Sequence, residues 1–153
     1  MSEVVLFPDH PHELYLGGRD FRWLSPYRYA WEIHGARYRI TGPAGFPYDG
    51  ASVPNAARIF VPPEPLHRAA GIHDLIYRYA GHLPAGMHEV LTRDGWQTVG
   101  IPWSRWEADR LFGRMLREDP AGPRRWQRRM GYRAVRAGGW WSWQNHRNRG
   151  LGL

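Results

Sequence analysis

The protein has 153 residues, enough to bury the hydrophobic core of one domain but cramped for two. The absence of Cys excludes disulfides and Cys-ligated zinc, and it fits a reducing compartment. No run approaches about 18 apolar residues, and no basic and then hydrophobic signal region follows Met1. We therefore expect a soluble protein without a transmembrane segment or a signal peptide.

The charge is unevenly distributed along the chain. The formal net charge is +7, and all 21 basic residues are Arg. Residues 121–153 hold 8 of these Arg and no acidic residue, whereas residues 1–120 are nearly neutral. This asymmetry indicates that the C-terminal region contacts an acidic partner. The partner is a protein, a nucleic acid or a phospholipid surface.

The N-terminal part is predicted to form β-structure with loops. Short strands separated by Pro and Gly turns are expected at 3–7, 21–24, 27–33 and 37–41. In the last of them Tyr38 and Ile40 alternate with Arg, which indicates an antiparallel meander with one buried face.

A loop rich in Gly and Pro follows, from Gly42 to Pro54. Its three Gly and three Pro exclude a helix or a long strand. The Asp49 carboxylate and the exposed carbonyl groups are the oxygen ligands that Ca²⁺ prefers. An ordinary packed loop explains the same composition. A short helical turn is expected at 55–60.

The stretch from Pro65 to Gly81 is predicted to be a helix, because Pro suits the first helical position and Gly the position just past the end. Its apolar residues recur at spacings of three and four, and His73 lies among them. Asp74, the next residue, lies about 100° from His73 around the helix axis. A buried histidine beside a carboxylate can be a general base or a metal ligand. The alternative is a core histidine bonded to a backbone carbonyl or to Tyr77.

Residues 82–103 separate this helix from the next one. A small hairpin is expected around Arg93-Asp94-Gly95, and the length of the excursion favours a lid or specificity loop. His82 and His88, which lie in it, are expected to be solvated.

The second long helix is predicted to open at Ser104, with Glu107 completing a capping box. Asp109 lies in the apolar stripe of this helix, where a carboxylate costs several kcal/mol unless it is paired. Because His73 also lies on an apolar stripe, we expect the two helices to pack antiparallel with a hydrogen bond between His73 and Asp109.

A third helix is predicted from Pro123 to Ala137, stopped by Gly138-Gly139. The residues assigned to partner binding are the Arg of its outer face and the Trp of the tail, namely Arg124, Arg125, Arg128, Arg129, Arg136, Trp140, Trp141 and Trp143.

These elements together predict one α+β domain spanning 1–153. An antiparallel β-meander and the Gly/Pro loop occupy 1–64, and a three-helix unit occupies 65–137. In that unit two antiparallel helices carry the pair of His73 and Asp109. Residues 138–153 form a tail rich in Trp and Arg.

Three motifs resemble the family known as domain of unknown function 1353. They are Gly45-Phe46-x-x-Asp49-Gly50-Ala51-Ser52-Val53-Pro54, Ala69-Ala70-x-Ile72-His73-Asp74-x-x-Tyr77 and Ala108-Asp109-x-x-Phe112. The resemblance covers about residues 27–140. It implies a protein of phages and prophages, located in the host cytoplasm or in a virion, and it implies no activity.

A looser resemblance is to phospholipase A₂ and the related parvovirus capsid domain, which carry His-Asp-x-x-Tyr on one helix and an Asp on a second, antiparallel helix. It implies that His73 is the general base, oriented by Asp109 and braced by Tyr77. It also implies a Ca²⁺ ion held by Asp74 and the carbonyls of the preceding loop. This chain departs from that pattern, because it has no Cys, a β-meander in front and a different loop spacing.

The His-Asp doublet is also similar to that of the HD phosphohydrolases, whose His and Asp residues bind metals. Those enzymes need a further upstream histidine on a helix. His34 falls in a predicted strand or turn, and His67 is six residues before His73, so the match is incomplete.

Three functions are compatible with these patterns. The first is a virion or virion-assembly protein that docks through its basic C-terminal region, with the His–Asp pair as a structural contact. The second is a calcium-dependent esterase, phospholipase-like or cell-envelope hydrolase. The third combines the two as a virion-borne hydrolase.

Overall fold

The structure is a computed structural model that describes residues 13–17, 20–49, 66–120 and 122–150. In these ranges the strands are β1 (Glu13–Gly17), β2 (Asp20–Trp23), β3 (Tyr27–Ile33), β4 (Ala36–Gly42), β5 (Pro47–Asp49), β6 (His88–Thr92) and β7 (Gly95–Thr98). The helices are α1 (His67–Arg78), α2 (Arg105–Glu118) and α3 (Arg125–Gly150). The protein is thus of the α+β class. The strand predicted at 3–7 and the helical turn predicted at 55–60 lie outside the described residues.

The strands form two antiparallel sheets. One has the order β1-β2-β5 and the other the order β3-β4-β6-β7. The predicted hairpin is present as β6 and β7, but β6 pairs with β4, with Tyr38 opposite Val90. The expectation of a lid was therefore wrong. Pairing with β6 covers the edge of β4 that a lone meander would leave exposed.

Trp23, at the end of β2, joins both sheets to α1. Its side chain is fully buried. A Cβ added at Gly42 of β4 would lie 1.7 Å from the indole ring, and one added at Gly71 of α1 would lie 2.5 Å from it. Glycine at these two positions lets a strand and a helix approach the same ring from different directions.

A network of polar contacts ties α2 to the four-stranded sheet. The Tyr29 hydroxyl donates to Glu118 Oε2 at 2.5 Å, and Arg114 Nε donates to Glu118 Oε1 at 2.6 Å. Arg114 Nη2 also donates to the backbone carbonyl of Glu32 at 3.2 Å. These contacts fix the end of α2 on β3.

His88 is buried, with 8% of its surface exposed, so the expectation that it is solvated was wrong. The reason is the pairing of β6 with β4, which places the imidazole parallel to the Trp31 ring at a centroid distance of 5.8 Å. Trp103 Nε1 donates to His88 Nδ1 at 3.2 Å. Burial lowers the pKa of His88 to about 4, against a small opposing effect of Glu107.

The lowered pKa of His88 predicts a loss of stability in weak acid. The unfolded chain takes up a proton near pH 6.5, whereas the folded protein does so only near pH 4. The contribution of His88 to the free energy of unfolding is therefore fully present above pH 6.5 and is lost as the pH falls from there toward 4. The loss amounts to at most about 3 kcal/mol. Urea denaturation across this pH range measures it. A His88→Gln variant that keeps the same slope would contradict the assignment.

The third helix does not stop at Gly138-Gly139, as the sequence predicted, but continues to Gly150. A Cβ at Gly139 would lie 2.5 Å from the Tyr77 hydroxyl. This glycine therefore permits close packing of α3 on α1 rather than ending the helix. None of the described helices combines the length and the apolar character that a membrane span requires.

Candidate functional site

The helices α1 and α2 pack antiparallel in the centre of the molecule. At one end of the pair Arg68 Nη1 lies 3.2 Å from Asp119 Oδ1. At the other end the backbone N–H of Trp103, just before α2, donates to the carbonyl of Gly81, just after α1, at 2.9 Å. The start of α1 thus lies beside the end of α2 and the end of α1 beside the start of α2, so the middles of the two helices face each other.

The predicted hydrogen bond between His73 and Asp109 is present at this crossing. His73 Nε2 lies 2.8 Å from Asp109 Oδ1, and the Tyr77 hydroxyl donates to the same oxygen at 2.6 Å. Arg136 Nη1, from α3, donates to Asp109 Oδ2 at 2.7 Å. Asp109 is fully buried, so these three donors replace its hydration.

The electrostatics of the site favour an ionised Asp109. Burial alone would raise the pKa of its carboxyl, but the hydrogen bonds from His73, Tyr77 and Arg136 lower the pKa below the usual range. Burial, followed by the hydrogen bond to Asp109, raises the pKa of the Tyr77 hydroxyl, which stays protonated and donates. Because an ionised carboxylate only accepts hydrogen bonds, the proton of the neutral imidazole lies on His73 Nε2.

The second nitrogen of His73 faces another carboxylate. Nδ1 lies 3.9 Å from Asp74 Oδ1, and 29% of the Asp74 side chain is exposed. Burial alone would lower the pKa of His73, but the carboxylates of Asp109 and Asp74 raise it above its ordinary value. The ring is held between Tyr77 and Phe112, at centroid distances of 4.1 and 5.2 Å. The imidazole is thus fixed in orientation and flanked by negative charge on both nitrogens.

Arg136 belongs to this site, although sequence reasoning assigned it to a solvent-facing surface. Its side chain is about one-third exposed, and its guanidinium pairs with Asp109. Arg105, on α2, donates from Nη1 to the Arg136 carbonyl at 3.1 Å and lies 3.9 Å from Asp109 Oδ2. No local pattern distinguishes Arg136 from the other Arg of α3, so only the packing of α3 reveals its role.

The calcium site predicted at Asp74 and Asp49 stays a prediction, because part of it lies outside the described residues. Asp49 ends β5, where its backbone is opposite Asp20, and its side chain lies outside the description. In the described ranges no group of three or more His, Asp or Glu side chains is placed to hold a metal ion. We assign no chemical step to a metal.

The metal set of the HD phosphohydrolases is not assembled in the described residues either. His34 is exposed in the turn between β3 and β4. His67 begins α1, and its ring packs against Phe21 at a centroid distance of 4.4 Å.

The residues assigned to partner binding fall into two groups. Arg128 is half-buried, with Nε donating to the Pro123 carbonyl, and Trp143 is buried against Tyr77 at a centroid distance of 5.0 Å. With Arg136, these two residues support the fold. The exposed members are Arg124, Arg125, Arg129, Trp140 and Trp141.

The fold and the site define an α+β domain in which two antiparallel helices hold a buried His–Asp pair. The model of a family described as a protein of unknown function (DUF1353) matches residues 21–135, and the chain belongs to this family. Comparison with curated proteins and with solved structures gives no match.

Proposed function

We propose that His73 and Asp109 are the general-base dyad of a hydrolase. The observation that carries the proposal is the 2.8 Å contact between His73 Nε2 and a fully buried carboxylate. Because Asp109 is itself anchored by Tyr77 and Arg136, it can orient the imidazole without changing its own position.

The proposed chemistry uses His73 Nδ1 as the base. With the Nε2 proton held by Asp109, Nδ1 keeps its lone pair and accepts a proton from water as the water oxygen attacks the carbonyl carbon of an ester. The imidazolium that forms is stabilised by the carboxylate of Asp109 and by that of Asp74, whose Oδ1 lies 3.9 Å from Nδ1. Nδ1 then returns the proton to the departing alcohol. The raised pKa of His73 makes its imidazole a stronger base than an ordinary histidine.

An ester of a lipid or of the cell envelope is the proposed substrate class. Its support is the resemblance to phospholipase A₂, in which a His-Asp-x-x-Tyr helix faces an Asp on an antiparallel helix. The contacts of Tyr77 and His73 with one Asp109 oxygen agree with that pattern.

The test is hydrolysis of simple nitrophenyl esters and of phospholipid vesicles, with and without a chelator. His73→Gln is expected to lower turnover by about 10²–10⁴-fold, the usual contribution of a general base. His88→Gln is the matched control, because it removes another buried histidine that lies outside the dyad. Activity that survives His73→Gln, equal losses in both variants, or no turnover by the unmodified protein would contradict the proposal.

A second proposal is that α3 docks the protein onto an acidic partner, a structural or assembly protein of a phage particle. The observation that favours it is the exposed face of α3. Trp126, Met130, Trp140 and Trp141 are 45%, 39%, 50% and 71% exposed. Their spacing places them along one side of the helix, with exposed Arg beside them. Aromatic and Arg side chains are enriched at protein interfaces.

Charge reversal tests the docking proposal. Arg125→Glu with Arg129→Glu is expected to abolish co-sedimentation with phage particles, and added salt is expected to weaken binding of the unmodified protein, because both remove electrostatic attraction. Arg93→Glu is the control, since Arg93 is exposed in the turn between β6 and β7. Co-sedimentation of the double variant at the normal level would place the interface elsewhere.

A further inference from the structure

A basic cavity lies where the C-terminal ends of α1 and α3 meet. Its volume is about 630 Å³, within the range of small-molecule sites, about 300–1,000 Å³. The charged and aromatic residues that line it are Arg78, Tyr79, His82, His146, Arg147 and Arg149. None of them belongs to the His–Asp dyad or contacts Asp109 in the described structure. The cavity is therefore separate from the proposed catalytic site.

The positive charge of this cavity is not balanced by the described protein. Its described lining includes three Arg, two His and no carboxylate. No ion pair joins Arg78, Arg147 or Arg149 to a carboxylate in the described ranges. Arg78, Arg147 and Arg149 all line this one cavity, and burial, followed by the charges of Arg78 and Arg149, lowers the pKa of the neighbouring His146. Like charges that line one cavity repel one another, and an anion bound between them would lower that repulsion.

The backbone that positions the α1 side of the cavity is strained. Ala80, which also lines the cavity, has φ +46°, in the left-handed region that favours glycine. The conformation is held by two hydrogen bonds of the helix end, from Ala80 N–H to the Tyr77 carbonyl and from Gly81 N–H to the Ile76 carbonyl, both 2.9 Å. This turn sets Arg78, which precedes it, and His82, which follows it, on the same cavity.

We propose that this cavity binds a phosphoryl group carried by a phosphate monoester. Guanidinium groups bind phosphate oxygens through paired N–H donors, and three of them are available from two helices. The rings of His82 and His146 add N–H donors. Two sources share this chemistry, a free phosphate ester and the terminal phosphate of a phospholipid headgroup. The proposal does not depend on the hydrolase, because the two sites share no residue.

The experiment titrates the full chain with inorganic phosphate, with glycerol 1-phosphate, and with phosphatidylcholine vesicles that contain or lack phosphatidic acid. Calorimetry gives the affinity, and the NMR signals of the His82 and His146 rings report the place of binding. Arg147→Gln with Arg149→Gln is expected to weaken binding at least about tenfold, equivalent to about 1.4 kcal/mol. Arg125→Gln with Arg129→Gln removes the same charge from the same helix outside the cavity and is the control.

Binding of the soluble phosphates that is lost in the Arg147/Arg149 variant supports a free phosphate ester as ligand. Binding only to vesicles with phosphatidic acid, lost in the same variant, supports the headgroup. Equal weakening in both double variants would show a diffuse charge effect and overturn the proposal. So would the absence of binding to every probe, or binding that leaves the His82 and His146 signals unchanged. An Arg78→Gln variant repeats the test from α1.

Discussion

Replacing Asp109 by Ala is expected to lower the free energy of unfolding by about 3–5 kcal/mol, the usual cost of breaking a buried charge network. The carboxylate is fully buried and accepts hydrogen bonds from His73, Tyr77 and Arg136. Its loss leaves these three donors, two of them buried, without their partner. Urea denaturation measures the change. Asp94→Ala, in the exposed turn between β6 and β7, is the control and is expected to stay within about 0.5 kcal/mol.

The stability contributed by His73 and that contributed by Asp109 depend on pH in opposite directions. The pKa of His73 is raised in the folded protein, so its contribution is fully present below its unfolded value of 6.5 and is lost as the pH rises through the folded value. The pKa of Asp109 is lowered, so its contribution is present above its unfolded value of 3.8 and is lost as the pH falls through the folded value. Asp109→Ala should remove the slope of Asp109 and reduce that of His73, whose pKa is then raised only by Asp74. An Asp109→Ala protein with the stability and pH profile of the unmodified protein would contradict the network.

Replacing Gly81 by Ala is expected to cost about 3 kcal/mol, from an unfavourable left-handed backbone and an overpacked contact. Gly81 has φ +84°, and a Cβ there would lie 2.0 Å from the Trp103 carbonyl oxygen. Backbone cannot move away as a flexible side chain can, and the N–H of Trp103 is bonded to the Gly81 carbonyl. The substitution therefore separates the end of α1 from the start of α2.

Ala80→Gly, at the adjacent position, is a matched variant for which we expect the opposite change in stability. Ala80 has φ +46°, so Ala80→Gly relieves strain and is expected to stabilise the protein by up to about 1 kcal/mol, although glycine also gains entropy in the unfolded chain. Thermal or urea unfolding compares the two variants. A Gly81→Ala protein as stable as the unmodified one would show that the two helices are not joined at this point.

The dyad and the exposed face of α3 are structurally connected. Arg136 binds Asp109, and Trp143 packs on Tyr77, while Trp140 and Trp141 are exposed on the same helix. Substitutions that test docking must therefore avoid Arg136 and Trp143, since either would also disturb the dyad.

Features set by neighbours in sequence could be predicted, because they leave a periodic signal. The capping box of Ser104 and Glu107 is present. The pairing of His73 with Asp109 followed from two polar residues on apolar stripes. Distant contacts in which neither partner stands out in the local pattern could not be predicted. Gly139 resembles a helix stop until the Tyr77 hydroxyl is seen beside it, and no local pattern links Arg136 to Asp109.

In the proposed dyad Asp109 holds a proton on His73 Nε2 and leaves Nδ1 as a base. NMR correlation of the His73 ring nitrogens and protons across a pH titration observes this proton itself. We expect the Nε2–H form above the pKa, a pKa above 6.5, and a fall in that pKa in an Asp109→Asn variant. A ring protonated on Nδ1, or a pKa below 6.5 that does not change in Asp109→Asn, would contradict it.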